Sequence, residues 1–181
     1  MRAFRFILRV VGVAGLLALL AIALYGAGQP LAPGTPAPPV HRARLPDGRL
    51  ADLRFGDRPT VVNIWATWCP PCLAELPELV EAQRAWGDRV TLVGLAADSD
   101  RAQVLAIIDR FDIPYQVAEI DGRTAAAWNA TSLPSTYLVD ASGTVVWSTR
   151  GQVDRATLDR ELGELPAAPP PPPSPAPPEP R

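Results

Sequence analysis

Two prolines stand between the only two cysteines of this 181-residue chain, and the run around them, Val61 to Pro77 (VVNIWATWCPPCLAELP), constrains the local fold more than any other stretch. Apolar and β-branched residues on both sides of Asn63 predict a buried strand that runs through Trp65 and Trp68 into Cys69-Pro70-Pro71-Cys72. Pro70 and Pro71 cannot donate backbone N–H groups, and their fixed φ suits a first helical turn, where those donors would have no partner anyway. A helix therefore starts at the prolines and Cys69 lies at its N-terminus. Free amides and the positive end of the helix dipole there favour a thiolate over a thiol. Cys69 is the expected nucleophile. Cys72, one turn further in, is placed to attack a mixed disulfide on Cys69 and is the expected resolving thiol.

Two other readings of a Cys-x-x-Cys pair carry less. Tetrahedral zinc takes about four ligands, and the chain offers no third cysteine and a single histidine, His41, so no metal site is expected. A static bridge over two intervening residues closes too short a loop to restrict the unfolded chain much. Redox chemistry is the reading that remains.

Downstream, Cys72, Glu75, Leu79, Ala82 and Trp86 recur at spacings of three and four, flanked by Leu76 and Val80, while Glu78, Glu81 and Arg84 fall on the opposite side. Glu75 is the one acid on an apolar face, one turn beyond Cys72. Desolvation there would raise its pKa and let it exchange protons with the second cysteine. Spacing alone leaves open an acid that merely favours the positive end of the helix or tips out to solvent. Pro77 should kink the helix by removing one backbone bond.

The chain ends frame this core. Arg2, Arg5 and Arg9 precede an uncharged run from Val10 to Gly28, long enough to cross a bilayer as a helix with the arginines in the cytoplasm and the rest outside. An uncleaved anchor over residues 1–28 is expected; a cleaved signal peptide, with Ala21-Ile22-Ala23 as its site, is the alternative. Either way the compartment is oxidising. Residues 29–39 hold five prolines and read as an extended spacer of roughly 30 Å. Residues 166–181 hold ten prolines and read as a disordered polyproline tail. Between them lie roughly 125 residues (40–165), enough for one domain with its own core. The net charge of −2 argues against nucleic acid as a partner, and all basic residues are arginine, so no lysine chemistry is available.

Within that domain, His41 to Leu53 alternates around Pro46-Asp47-Gly48 and predicts a hairpin, with His41 itself solvated. Arg89 to Ala96 predicts a second buried strand, parallel to the first. Asp98, Ser99 and Asp100 offer a cap for a helix over Arg101–Phe111, with Val104, Leu105, Ile107, Ile108 and Phe111 inward. A short strand over Tyr115–Ile120, a short helix over Thr124–Asn129, a strand after Pro134, an antiparallel partner over Thr144–Thr149 and a last helix capped by Asp154 complete the reading.

NIWATWCPPC with Glu75 and Pro77, together with Leu133-Pro134-Ser135-Thr136, resembles the membrane-anchored thioredoxin-like thiol-disulfide oxidoreductases of the TlpA/ResA type. The likeness spans about Pro38 to Leu165. It implies an α/β, thioredoxin-like fold: a central mixed sheet flanked by helices, with an N-terminal β-hairpin, preceded by one transmembrane helix. It implies a cis bond before Pro134, facing the cysteines, with Trp68, Pro70, Leu133 and Pro134 on the substrate side. It also favours a proton-transfer role for Glu75. Where thioredoxin carries a buried aspartate this chain has Asn63, which cannot titrate; an amide satisfied by backbone partners is the expectation there.

By the same resemblance the domain faces the periplasm or cell exterior from the cytoplasmic membrane. It takes electrons from a membrane thiol transporter, and it reduces disulfides of partner proteins such as apocytochrome c or copper-site thiols, without a cofactor. The cytochrome-specific branch carries a further acidic signature before its cis-proline, and Ser132-Leu133 lacks it, so a generic reductase is expected. The pKa of Cys69 does not decide direction, since a stabilised thiolate makes a better oxidant. The alternatives are a disulfide-introducing oxidase and a Cu(I)-handling protein using the same two thiols. A peroxidase is disfavoured because Thr67 is out of register with Cys69 for a Thr-x-x-Cys motif.

Overall fold

The computed structural model describes residues 12–17 and 28–165. The proline tail lies outside the described residues, as does all of the N-terminal segment except residues 12–17, which are helical and exposed, and residue 28. Among the described residues no helix is long and apolar enough to cross a membrane.

Seven strands form one mixed sheet: β1 (Val40–Arg44), β2 (Leu50–Leu53), β3 (Thr60–Trp65), β4 (Thr91–Ala97), β5 (Gln116–Ile120), β6 (Ser135–Val139) and β7 (Val145–Arg150). Their order is β2-β1-β5-β4-β3-β6-β7. β4 runs parallel to both β3 and β5, while β6 is antiparallel to β3, and the hairpins lie at the two edges. Four helices cover the sheet: α1 (Pro70–Trp86), α2 (Arg101–Phe111), α3 (Gly122–Ala127) and α4 (Arg155–Gly163).

β3 is buried at every position, as a central strand covered on both faces must be. Its pleat sends Val61 and Trp65 into an apolar cluster with Leu76 and Leu79 of α1, Val104 of α2 and Leu158 of α4. Val62 and Ile64 enter the other cluster, with Val40, Ala125, Trp128 and Tyr137. Successive side chains alternate between faces, so Asn63 shares the face of Val61 and Trp65 and points to α1. That alternation alone delivers a polar side chain under the active-site helix.

The helix signals act as their chemistry dictates. Pro70 and Pro71 occupy the first positions of α1 with Cys69 as N-cap. Asp100, Asp121 and Asp154 cap α2, α3 and α4 by accepting from the N–H groups of Gln103, Thr124 and Thr157. α1 continues through Pro77, which is exposed, to Trp86. Within α2, Val104 and Ile107 are buried and Ile108 and Phe111 pack against them, but Leu105 is exposed, so the apolar stripe is narrower than the sequence suggests. In the turn between β6 and β7, Gly143 has φ 83° and a Cβ there would meet Phe55 O at 2.7 Å. Only glycine fits that approach.

The proline-rich stretch before the domain is not a free spacer. Gly34 N donates to Val145 O and Val145 N to Thr35 O, both at 2.8 Å, and Ala37 N donates to Gly143 O at 2.8 Å. Pro36 bridges antiparallel to Thr144, and Leu31 and Ala37 pack against the second apolar cluster. The physical reason is the open edge of β7, whose unpaired backbone groups need a cover. His41, read as solvated, is exposed but lies 3.2 Å from Asp52 Oδ2 across the β1–β2 hairpin.

Candidate active site

The carboxyl ends of β3, β4 and β5 and the amino end of the antiparallel β6 meet at one edge of the sheet. Loops at that edge bring Trp68 and Cys69, then Asp98 and Ser99, then Leu133 and Pro134 together. Cys69 and Cys72 form a disulfide, with their Cα atoms 5.3 Å apart. Cys69 Sγ also accepts the Cys72 N–H at 3.3 Å. This is one of the helix-start donors that sequence reasoning places at the first cysteine. Cys69 is 5% exposed and Cys72 0%. The outer sulfur is the one a partner can approach.

Groups from the loop before α2 and from its first turn fix the loop ahead of Cys69. Thr67 N donates to Ser99 Oγ at 3.1 Å, Thr67 Oγ1 to Gln103 Oε1 at 2.8 Å, and Trp68 Nε1 to Asp98 O at 3.1 Å. Trp68 is thereby held in place while the residue is 63% exposed. It forms one wall of a groove of about 490 Å³, with Cys69, Pro70, Pro71, Ala97, Asp98 and Leu133 among its lining. The Leu133–Pro134 bond is cis, as the resemblance implies, and Pro134 is buried while Leu133 is half-buried. Three of the four expected substrate-side residues, Trp68, Pro70 and Leu133, thus face one groove beside Cys69.

Beneath the disulfide, Glu75 is 2% exposed. Asn63 Nδ2 donates to its Oε1 at 2.8 Å and Val153 N to its Oε2 at 3.0 Å. Burial pushes the Glu75 carboxyl up to about 7, against those two hydrogen bonds, which favour the anion. A buried acid balanced near neutrality can take up and return a proton at working pH. The expectation that Asn63 is satisfied by backbone partners is corrected here: its second N–H goes to Thr136 Oγ1 at 3.0 Å, so both donors serve side chains. Tyr115, just before β5, also reaches this region. Its hydroxyl is pushed well above the ordinary phenol range by burial and then by the Glu75 charge.

Sequence reasoning missed Asn63, Thr136, Ser99, Gln103 and Val153 as parts of the site. A polar residue in mid-strand was the available signal for Asn63; the others act across register and loop contacts that spacing does not reveal.

Comparison with known proteins agrees with this geometry. Residues 32–162 match the Redoxin family. The thiol:disulfide interchange protein DsbE homolog of Paracoccus denitrificans is 32% identical, over 75% of this chain and 76% of its own. The DsbE protein of Xylella fastidiosa is 28% identical, over 84% of this chain and 81% of its own. Among solved structures, a thioredoxin-family thiol:disulfide interchange protein from Chlorobium tepidum superposes with a TM-score of 0.62 at 30% identity, covering 75% of this chain and 97% of that one. With a cysteine pair already joined at the start of α1, the chain belongs to the Redoxin family and is a thiol-disulfide oxidoreductase of thioredoxin-like fold.

Proposed function

We propose that this protein is a reductase of partner-protein disulfides at the outer face of the cytoplasmic membrane, held there by residues 1–28. The observation that carries the reading is the asymmetry of the pair: Cys69 borders an open groove, while Cys72 is sealed and sits one turn before the buried acid Glu75. In the reduced protein the Cys69 thiolate attacks one sulfur of a partner disulfide, and the other partner sulfur leaves as a thiolate and takes a proton. Glu75 then accepts the Cys72 proton, and the Cys72 thiolate attacks Cys69 Sγ. The second partner sulfur is expelled and the Cys69–Cys72 disulfide forms. Two electrons have passed to the partner, and a dithiol donor, a membrane thiol transporter by family resemblance, must return them.

Haem-binding thiols of apocytochrome c and copper-site thiols are examples of substrates the resemblance implies, within a generic reductase reading, since Ser132-Leu133 lacks the acidic signature of the cytochrome-specific branch. The groove supports a peptide partner: its walls are mainly apolar, and Leu133 brings the backbone of the Pro134 loop beside Cys69. The test is trapping. Cys72→Ala should accumulate mixed disulfides on Cys69 in the native compartment, and Cys69→Ala should not; an empty trap would sink the substrate class. A potential well below the glutathione couple supports reduction, and one near the strong oxidants would reverse the direction.

A further inference from the structure

We propose that Asn63 is a positioning residue for the exchange reaction, tying the Glu75 carboxylate to the strand that carries the Pro134 loop and holding it ready to accept a proton. This deepens the proposed mechanism and rests on its assignment of Glu75 as the proton acceptor for Cys72. The two N–H groups of the Asn63 amide go to two different elements, Glu75 Oε1 on α1 and Thr136 Oγ1 on β6. Asn63 pairs directly with Thr136 in the β3–β6 register, and Thr136 stands two residues after Pro134. One side chain therefore connects the helix that begins with the cysteines to the strand that begins at the substrate loop. All three residues are almost fully shut off from solvent: Asn63 and Thr136 are 0% exposed and Glu75 2%.

The chemistry of an amide suits the task. With Glu75 ionised, an N–H must face the carboxylate oxygen, as it does here. The remaining Asn63 atom, Oδ1, is buried and has no partner among the described residues. An amide rotated end for end would set Oδ1 against Glu75 Oε1, and two acceptors tolerate that contact only with a proton between them. Asn63 can thus serve the charged acid with its nitrogen and the neutral acid with its oxygen. A carboxylate at this position would repel the ionised form, and an apolar side chain would serve neither form.

Few other groups bear on Glu75. Val153 N supplies the second donor from the loop before α4, and the Tyr115 hydroxyl, buried and unpartnered, approaches from before β5. The acids of α4 are engaged elsewhere: Asp159 accepts from Trp86 Nε1 and Asp154 caps Thr157. α2 offers Val104 and Ile107 to α1, and the Arg84–Asp112 pair between these helices is at the surface. Cys72, one turn before Glu75 on α1, is locked in the disulfide. Asn63 is therefore the side chain whose removal isolates the effect.

The test is a carboxyl ¹³C titration of Glu75 in the oxidised full-length chain, labelled at glutamate, beside the pH profile of its exchange rate when reduced. In Asn63→Ala the Glu75 midpoint should rise by roughly one pH unit, because the anion loses a donor, and the acid limb of the rate profile should rise with it. Asn63→Asp keeps the shape and places a second acid beside the first; it too should raise the midpoint, and it decides the matter if the alanine variant fails to fold. A Glu75 midpoint unchanged in the folded variants overturns the role of Asn63. If instead Glu75→Gln leaves the acid limb in place, the proton acceptor was misassigned; that failure shows in the rate profile, whereas the role of Asn63 is read from the carboxyl titration.

Discussion

Val153 gives its backbone N–H to Glu75 Oε2 at 3.0 Å, from 78 residues further along the chain. The contact fixes a carboxyl in the apolar layer between α1 and the sheet, where water cannot solvate its charge. Two donors offset part of that loss, and the remainder appears as a proton affinity raised from 4.5 to about 7.

Stability should consequently fall with pH over a defined window. Below pH 4.5 both folded and unfolded chains hold the Glu75 proton, so the stabilising effect of the neutral acid is complete. Between 4.5 and about 7 the unfolded chain releases it while the folded chain keeps it, and stability declines as pH rises through the folded value. The full span is on the order of 3 kcal/mol for the oxidised protein. Aspartates held low by hydrogen bonds to their charged form, such as Asp121 and Asp154, act only at more acid pH and do not cancel it. Urea midpoints from pH 5 to 8 should decline in the wild type and stay level in Glu75→Gln. Equal slopes would show that Glu75 does not titrate in this range.

The two thiols should separate chemically once reduced. Cys69 caps α1 beside the groove and Cys72 is sealed beneath it. At pH 7 iodoacetamide should label Cys69 at least about tenfold faster than Cys72, and faster than a free cysteine. Peptide mapping after brief exposure reads the result directly. Preferential labelling of Cys72 would invert the assigned roles.

Trp68 should matter for large partners more than for small ones. Its indole is anchored through Nε1 to Asp98 O while most of its surface stays open beside Cys69. Trp68→Ala removes a wall of the groove without touching sulfur. The KM for a protein disulfide should rise about tenfold, as for loss of an aromatic anchor at an interface, with turnover of a small disulfide nearly unchanged. Equal losses with both substrates would point to damage at the cysteines themselves.

The parts of this fold that could be read from the chain are those written in local chemistry. Pro70 and Pro71, followed by helix-forming residues, fill the first turn of α1, Asp100 and Asp154 cap the helices that follow them, and the β-rich runs at Val61 and Thr91 pair as buried neighbours. Glu75 was legible in part: helical spacing puts it on the face of Cys72, but its burial was left open by spacing and its proton-transfer role was favoured only by the family resemblance. Asn63 was visible as an anomaly but its use was not, since its partners lie 12 and 73 residues away and meet only when α1 and β6 close over β3. Leu105 shows the converse error: an apolar residue beside a stripe need not be covered. The docking of residues 31–37 was hidden by composition, because prolines that signal an extended spacer are equally suited to lying along a strand edge.

That docked segment yields the last expectation. Residues 34–37 occupy the backbone groups at the start of β7, and Ser148 Oγ donates to Leu31 O at 2.7 Å further along the same strand. A chain begun at Val40 keeps all seven strands, helices α1 to α4 and every site residue but bares the β7 edge and uncovers apolar surface near Trp128 and Tyr137. An open edge of this kind invites pairing with another chain. The shortened protein should unfold at lower temperature and self-associate at high concentration, while its exchange rate at low concentration stays close to that of the longer form. Scattering and thermal unfolding on the two lengths would show it. Identical melting and no association would mean that residues 29–39 behave as the free spacer their prolines suggest, with the domain ending at β1 and β7.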